Sequence, residues 1–254
     1  SVVTKFIAGI GIFSTFKLLA IAIFVVLLVA AIIIKAPEAP TAGASKTAAA
    51  DDNTHHYTSA EMMKTSRFWI FFLWAIALNS AGLMVINSAA NISVAYGGSA
   101  VLGMIVSLFN GAGRIVAGNN FDRFGRKTSS IVNNIFMIIA GALLIAGGVS
   151  HSLILVVIGL IFVGLSYGGT PTITSAYVNK AFGAKYFATN FSIANFSLIP
   201  AAIIGPIISA KLLEAAGGKY DSNFRALIVF TLVALALWIG LNIASKKSDN
   251  EDYK

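Results

Sequence analysis

Cysteine is absent from the chain, which excludes disulfides, thiolate metal sites and cysteine nucleophiles. Charge is scarce as well. Only 11% of the 254 residues are Asp, Glu, Lys or Arg, where a soluble domain carries about a quarter. With 57% of residues hydrophobic, most of the chain must face something other than water. Acids are the rarer sign, 10 against 18 bases, for a net charge of +8. On one face that excess would suit nucleic acid; here it is divided among short segments between apolar runs. A soluble enzyme and a nucleic-acid binder are therefore both excluded. No Met begins the chain, no charged start precedes the first apolar run, and no cleavage-like site follows it. The expectation is a piece of a longer protein, without a secretory signal peptide.

What is present is apolar and long. A helix needs about 20 mostly apolar residues to cross the hydrocarbon core. The first stretch that qualifies is 18–34, preceded by a glycine-broken run over 6–16 that is too short to span alone. Six more follow at 68–86, 100–117, 131–149, 153–175, 191–210 and 226–244. Residues 35–64 differ in character: Ala, Pro, Thr, Asp and Lys dominate, with the pair His55-His56 and a short helix expected at 59–64. The expected organisation is one span ending a first bundle (1–34), a linker (35–64), a six-helix bundle (65–245) and a tail (246–254). The fold class is all-α integral membrane.

Lys and Arg set the expected orientation. One set of ends carries Lys35, Lys46, Lys64, Arg67, Arg123, Arg126, Lys127, Lys180, Lys185, Lys246, Lys247 and Lys254. The opposite set carries Lys5, Lys17, Lys211, Lys219 and Arg225, and two of its loops have no base at all. The linker and the tail are expected to be cytoplasmic, in a multi-pass protein of the cell membrane.

The most specific segment is Gly118-Asn119-Asn120-Phe121-Asp122-Arg123-Phe124-Gly125-Arg126-Lys127. A tight turn needs a glycine, here Gly125. Arg123, Arg126 and Lys127 can hold the loop in the cytoplasm and meet lipid phosphates. Asp122, an acid among cations, can pair with those arginines or with the positive N-terminus of a neighbouring helix. Such a cluster could lock one packing of the bundle and release another; an ordinary positive-inside loop also fits.

This Gly-x-x-x-Asp-Arg-x-Gly-Arg-Lys segment resembles the signature loop of the major facilitator superfamily of secondary transporters. The layout resembles the last helix of that fold's N-terminal bundle followed by its complete six-helix C-terminal bundle, a fragment of the whole. The missing N-terminal half would then be this chain's partner, along with membrane lipids. A finer resemblance is to the oxalate:formate antiporter family. It rests on Arg67-Phe68-Trp69, on Ala81-Gly82-Leu83-Met84, and on Phe109, Asn110, Gly113 and Arg114. Phe182-Gly183-Ala184-Lys185 and Ala188-Thr189-Asn190 extend it.

Arg114 is the leading candidate for substrate binding. It lies inside an apolar span, where a cation is costly and marks a functional site by default. Snorkelling to the interface is the alternative. Side chains on a helix lean towards its N-terminus, and 100–117 is expected to run from outside to inside. Arg114 then leans towards the membrane centre, with Asn110 one turn away on the same face. Its planar five-donor fork suits a carboxylate, and the resemblance implies that an arginine here binds the anionic substrate. The antiporter family carries a second buried cation, a lysine, where this chain has Leu198. One cation in this half pairs with one negative charge, so the expected substrate is a monocarboxylate such as formate, pyruvate or lactate.

Asn79 and Ser80, Tyr167, Thr170, Thr172 and Thr174, and Asn190 and Asn195 are further candidates to line a cavity, because the resemblance puts their helices around the substrate. Each alone could equally bond between helices. Gly168-Gly169-Thr170-Pro171, Pro200 and Gly205-Pro206 are expected to interrupt their spans; a hinge of an alternating-access transporter and a static kink both fit. The best reading is a secondary transporter, antiporter or symporter, of a small organic anion. It is not an enzyme, and no cofactor or metal is implied. The alternative is a transporter-like receptor that senses a small ligand, for which the linker and tail offer little output surface.

Overall fold

The computed structural model describes residues 2–33 and 55–247, and every regular element among them is helical. Two compact units divide the chain at residues 54 and 55. In the first, α1 (Val2–Ile10) and α2 (Ile12–Ile33) flank Gly11. Gly11 has φ 79°, a left-handed value that a Cβ would oppose. The span begins at Ile12 and not at 18, because Phe13, Phe16 and Leu18 carry the apolar run across Lys17. Its 22 residues extend about 33 Å, enough to cross a bilayer.

The second unit opens with α3 (Ser59–Lys64), which begins where the sequence places it. Thr58 and Glu61 cap it reciprocally: the Thr58 hydroxyl accepts from the Glu61 N–H, and the Glu61 carboxylate accepts from the Thr58 N–H at 2.8 Å. Then come α4 (Ser66–Ile86), the short α5 (Ala89–Ala95), α6 (Ile105–Ser150), α7 (Leu153–Phe182), α8 (Phe187–Asn195), α9 (Leu198–Ala215) and α10 (Asp221–Lys247). The described residues thus extend most of the expected spans by a turn or more at their ends. The helix α5 was not expected: its seven residues are too few to register as a periodic segment.

The helix α6 is divided at Gly125, whose φ of 73° and ψ of −176° are not helical. The limbs 105–124 (α6a) and 126–150 (α6b) lie side by side. Ser129 donates its hydroxyl to the Ala117 carbonyl at 3.1 Å, whereas a straight helix would hold these residues about 18 Å apart. Six helices among the described residues are long and apolar enough to cross a membrane. One of them folds back at Gly125, so the described residues hold seven membrane-length limbs, the number of spans expected. The reversal is confined to Gly125, and the flanking residues expected to form a loop are helical.

Helices in lipid gain little from the hydrophobic effect and associate through close packing and interhelical hydrogen bonds. The limb α6a meets α7 backbone to backbone. A Cβ at Gly164 would lie 2.6 Å from the Val106 carbonyl oxygen, and one at Gly168 would collide with the Asn110 carbonyl. Across α4 and α9, Ser209 donates to the Met84 carbonyl at 3.0 Å and accepts from Asn223 of α10 at 2.7 Å.

The prolines behave differently from expectation. The helix α7 runs unbroken through Gly168–Pro171, so that motif does not interrupt its span. Proline deletes the donor to the Tyr167 carbonyl, and hydroxyls serve neighbouring carbonyls: Thr170 donates to Ser166 and Thr174 to Thr170. Hydroxyl help of this kind is how membrane helices tolerate proline. The sixth span does break, but at Phe196 and Ser197. The Pro200 ring would clash with the Phe196 carbonyl in a continuing helix, which places the break a turn upstream. Pro206 lies within α9 and does not end it.

Candidate functional site

Two helices, α6a and α7, carry Arg114, Asn110 and Tyr167, and a third, α4, packs against the tyrosine. Arg114 and Asn110 stand one turn apart on α6a, the first exposed and the second half-buried. Tyr167, half-buried on α7, precedes Gly168, where the backbone of α7 is pressed onto Asn110. Its ring rests on Gly82 of α4, where a Cβ would lie 2.7 Å from Tyr167 Cδ2. Arg114 stands at the middle of the limb 105–124, about 16 Å along it from Gly125. These residues supply a forked cation, an amide and a phenol, the donor types that suit a small anion.

The remaining candidates are placed elsewhere. Thr170 has no exposure; its hydroxyl accepts from Asn133 Nδ2 at 3.0 Å. Ser166 donates to the Asn133 carbonyl at 2.8 Å, so Thr170 belongs to a polar seam joining α7 to α6b. Asn79 is 2% exposed and its Oδ1 has no partner among the described residues. It precedes Gly82 by three residues on α4, on the same side of that helix. Asn195 is half-buried at the end of α8. Asn190 is held by the chain before α3: Ser59 donates to its Oδ1 at 2.8 Å, and its Nδ2 donates to the Tyr57 carbonyl at 2.9 Å.

At the reversal, Asp122, Arg123 and Lys127 are exposed and Gly118 is half-buried. Asp122 makes no ion pair with any described residue. Arg126 corrects the sequence reading. It is 2% exposed, so it does not meet lipid phosphates. The turn at Gly125 directs it inward, and its guanidinium lies 5.8 Å from the centre of the Tyr177 ring. A planar, weakly hydrated cation suits an aromatic face better than a lysine would.

A second buried arginine at this end was not recognised from the sequence. Arg67, 6% exposed, lies against the edge-packed rings of Tyr57 and Phe182, 4.8 and 4.9 Å from their centres. The Tyr57 N–H donates to the Phe182 carbonyl at 3.0 Å. Residues 55–64 are thus docked on α4, α7 and α8. His55, expected to lie in a mobile linker, packs edge-on against Tyr57 and comes within 3.9 Å of Glu61. The Glu61 carboxyl is held below the usual carboxylate range, first by the Thr58 N–H and then by its hydroxyl. Aromatics at 57 and 182 flanking a span that opens with Arg were the available signal, but nothing in the spacing brings them together. At the opposite end, burial and then the neighbouring Asp221 raise the Tyr96 phenol.

The family model of the Major Facilitator Superfamily matches residues 1–198 and 102–252. No curated protein matches the chain.

Proposed function

The chain belongs to the major facilitator superfamily of membrane transporters, and from that premise we propose that it carries a small organic anion, a monocarboxylate such as formate, pyruvate or lactate, by alternating access. The reading rests on one observation: Arg114 stands at the middle of α6a, an exposed cation in an apolar limb, one turn from Asn110, where α6a is pressed onto the helix that carries Tyr167. A carboxylate offers two oxygens to that fork, and a single cation favours a single negative charge. The oxalate:formate antiporters are the subfamily that this chain's motifs resemble. The layout of one span, linker and six spans argues that the rest of a six-helix N-terminal half, of which the first span is the last helix, completes the cavity. The excess of Lys and Arg at the Gly125 end argues that this end, the linker and the tail are cytoplasmic in the cell membrane.

Exchange of one anion for another fits better than proton symport. Among the described residues, the acids of the long helices, Asp122, Glu214 and Asp221, lie near helix ends, away from Arg114. The exposed charges of Asp122, Arg123 and Lys127, with buried Arg126 and the Gly118 and Gly125 positions, are read as the gate that holds one arrangement of the two halves.

The test is uptake of labelled formate, pyruvate, lactate and oxalate by the full protein in liposomes, with and without Arg114→Ala. Uptake of one monocarboxylate that is lost in the variant supports the reading. A preference for oxalate, or normal uptake by the variant, refutes it.

A further inference from the structure

We infer that Gly82 is a size-determining residue of this cavity, acting through the Tyr167 ring. The inference rests on the reading of Arg114 and Tyr167 as cavity residues. Gly82 is buried on α4 and faces α7, and a Cβ there would lie 2.7 Å from Tyr167 Cδ2, 3.1 Å from Cβ and 3.2 Å from Cγ. Contacts of that length are repulsive. The atoms crowded are the root of the tyrosine as well as its ring, so no rotation of a distant tip relieves them. The ring would have to swing as a whole about its Cα–Cβ bond.

The surroundings limit where it can go. Behind Tyr167, α7 is pressed onto α6a: Gly168, the next residue, already touches the Asn110 carbonyl, and Gly164 touches Val106 and Asn110. The helix therefore cannot retreat, and α4 blocks the side from which the ring was displaced. The open direction is the half-exposed side of Tyr167, which the reading of Arg114 and Tyr167 as cavity residues makes the substrate's side. A methyl group at position 82 thus moves the phenol into the space where a carboxylate's substituent would sit. Gly82 keeps that space open for an anion larger than formate, and it does so without touching the substrate. Other glycines do not have this arrangement: Gly205 packs on the Ser80 backbone, and Gly111 meets nothing within 4 Å.

The absence of cysteine from these 254 residues helps a test that needs no transport. In the full protein, with any cysteine elsewhere replaced by serine and Arg114→Cys as the sole thiol, labelling rates are measured with a small and a bulky uncharged methanethiosulfonate. Gly82→Ala is expected to slow the bulky reagent about tenfold relative to the small one, the order of discrimination that one methylene in a pocket commands. The slowing should vanish in a Tyr167→Ala background, because coupled residues are non-additive. Gly111→Ala should change neither rate. An unchanged ratio, or one that falls equally without the Tyr167 ring, overturns the inference. Loss of labelling by both reagents, a packing defect without size selection, overturns it too. With Arg114 restored, Gly82→Ala should lower uptake of pyruvate relative to formate, also about tenfold. If neither anion is carried by the parent protein, the monocarboxylate reading falls while the labelling ratio still decides the role of Gly82.

Discussion

Asn133 of α6b donates its side-chain amide to the hydroxyl of Thr170 on α7, at 3.0 Å and with Thr170 wholly buried. The same asparagine accepts at its backbone carbonyl from Ser166. Thr170 thus has a structural role that its place beside Tyr167 in the sequence does not reveal. Thr170→Val should lower the unfolding temperature in detergent, with a loss of about 0.6–1.7 kcal/mol, the range for membrane interhelical hydrogen bonds. Substrate KM should stay within about twofold, a difference of under ~0.4 kcal/mol. A large rise in KM with unchanged stability would return Thr170 to the substrate site.

Gly125 occupies a backbone region almost closed to other residues, with φ 73° and ψ −176°. A Cβ there would meet no atom within 4 Å, so the entire effect of a substitution is conformational. Gly125→Ala should cost about 1–3 kcal/mol, read as a lower melting temperature. Gly111→Ala, helical and equally uncrowded, is the control that should leave it unchanged or raise it slightly. Equal melting temperatures for the two variants would mean that the reversal does not depend on glycine.

Arg67 holds Tyr57 against the bundle through two aromatic faces. Arg67→Gln should release residues 55–64, exposing the peptide bonds around Tyr57 to protease many-fold faster while the membrane helices stay folded. Two cation–π contacts at about 0.5–2 kcal/mol each are the interactions lost. Arg67→Lys should give an intermediate rate, since an ammonium stacks less well than a guanidinium. Cleavage unchanged in both variants would show that the Asn190 bonds and the Tyr57–Phe182 backbone bond hold the segment without the guanidinium.

The cap of α3 should depend on pH in one direction. Glu61 has a folded-state pKa below its ordinary value, chiefly because the Thr58 N–H bonds its charged form. A depressed carboxylate stabilises above its unfolded pKa and loses that contribution as pH falls through the folded one. Amide exchange at Glu61 and Met62, corrected for intrinsic rates, should therefore be flat near neutrality and accelerate only below the usual carboxylate range. Glu61→Gln should remove the acid limb, and its persistence would assign it to another group.

These elements differ in how far the sequence exposes them. Spans are legible because about 20 apolar residues are needed to cross a bilayer, and Gly125 is legible because a turn between two apolar runs needs a residue without a Cβ. Arg126 was not. The sequence identifies a cation at a helix end, whereas its burial against Tyr177 depends on a ring fifty-one positions away. Pro171 was misread for a related reason: local chemistry removes a donor, but the hydroxyls of Thr170 and Thr174 act on the carbonyls around it. Of the candidate site, the Arg114 and Asn110 pair follows from helical spacing alone. Tyr167 and Gly82 come to it from other helices, and no spacing rule relates them.

The decisive variant at that site is conservative. Arg114→Ala removes charge and shape together, whereas Arg114→Lys keeps the charge and loses the planar fork. If substrate is held by two parallel N–H bonds, the lysine variant should still exchange anions, with KM raised about tenfold, about 1.4 kcal/mol, and little change in kcat. A variant with unaltered KM would mean that Arg114 supplies only a field. One that neither transports nor folds, judged by its melting temperature, would make Arg114 a packing residue whose charge serves the bundle and not the cargo. Only the first outcome requires that two carboxylate oxygens face the guanidinium edge, and it is the one that its exposed position a turn from Asn110 predicts.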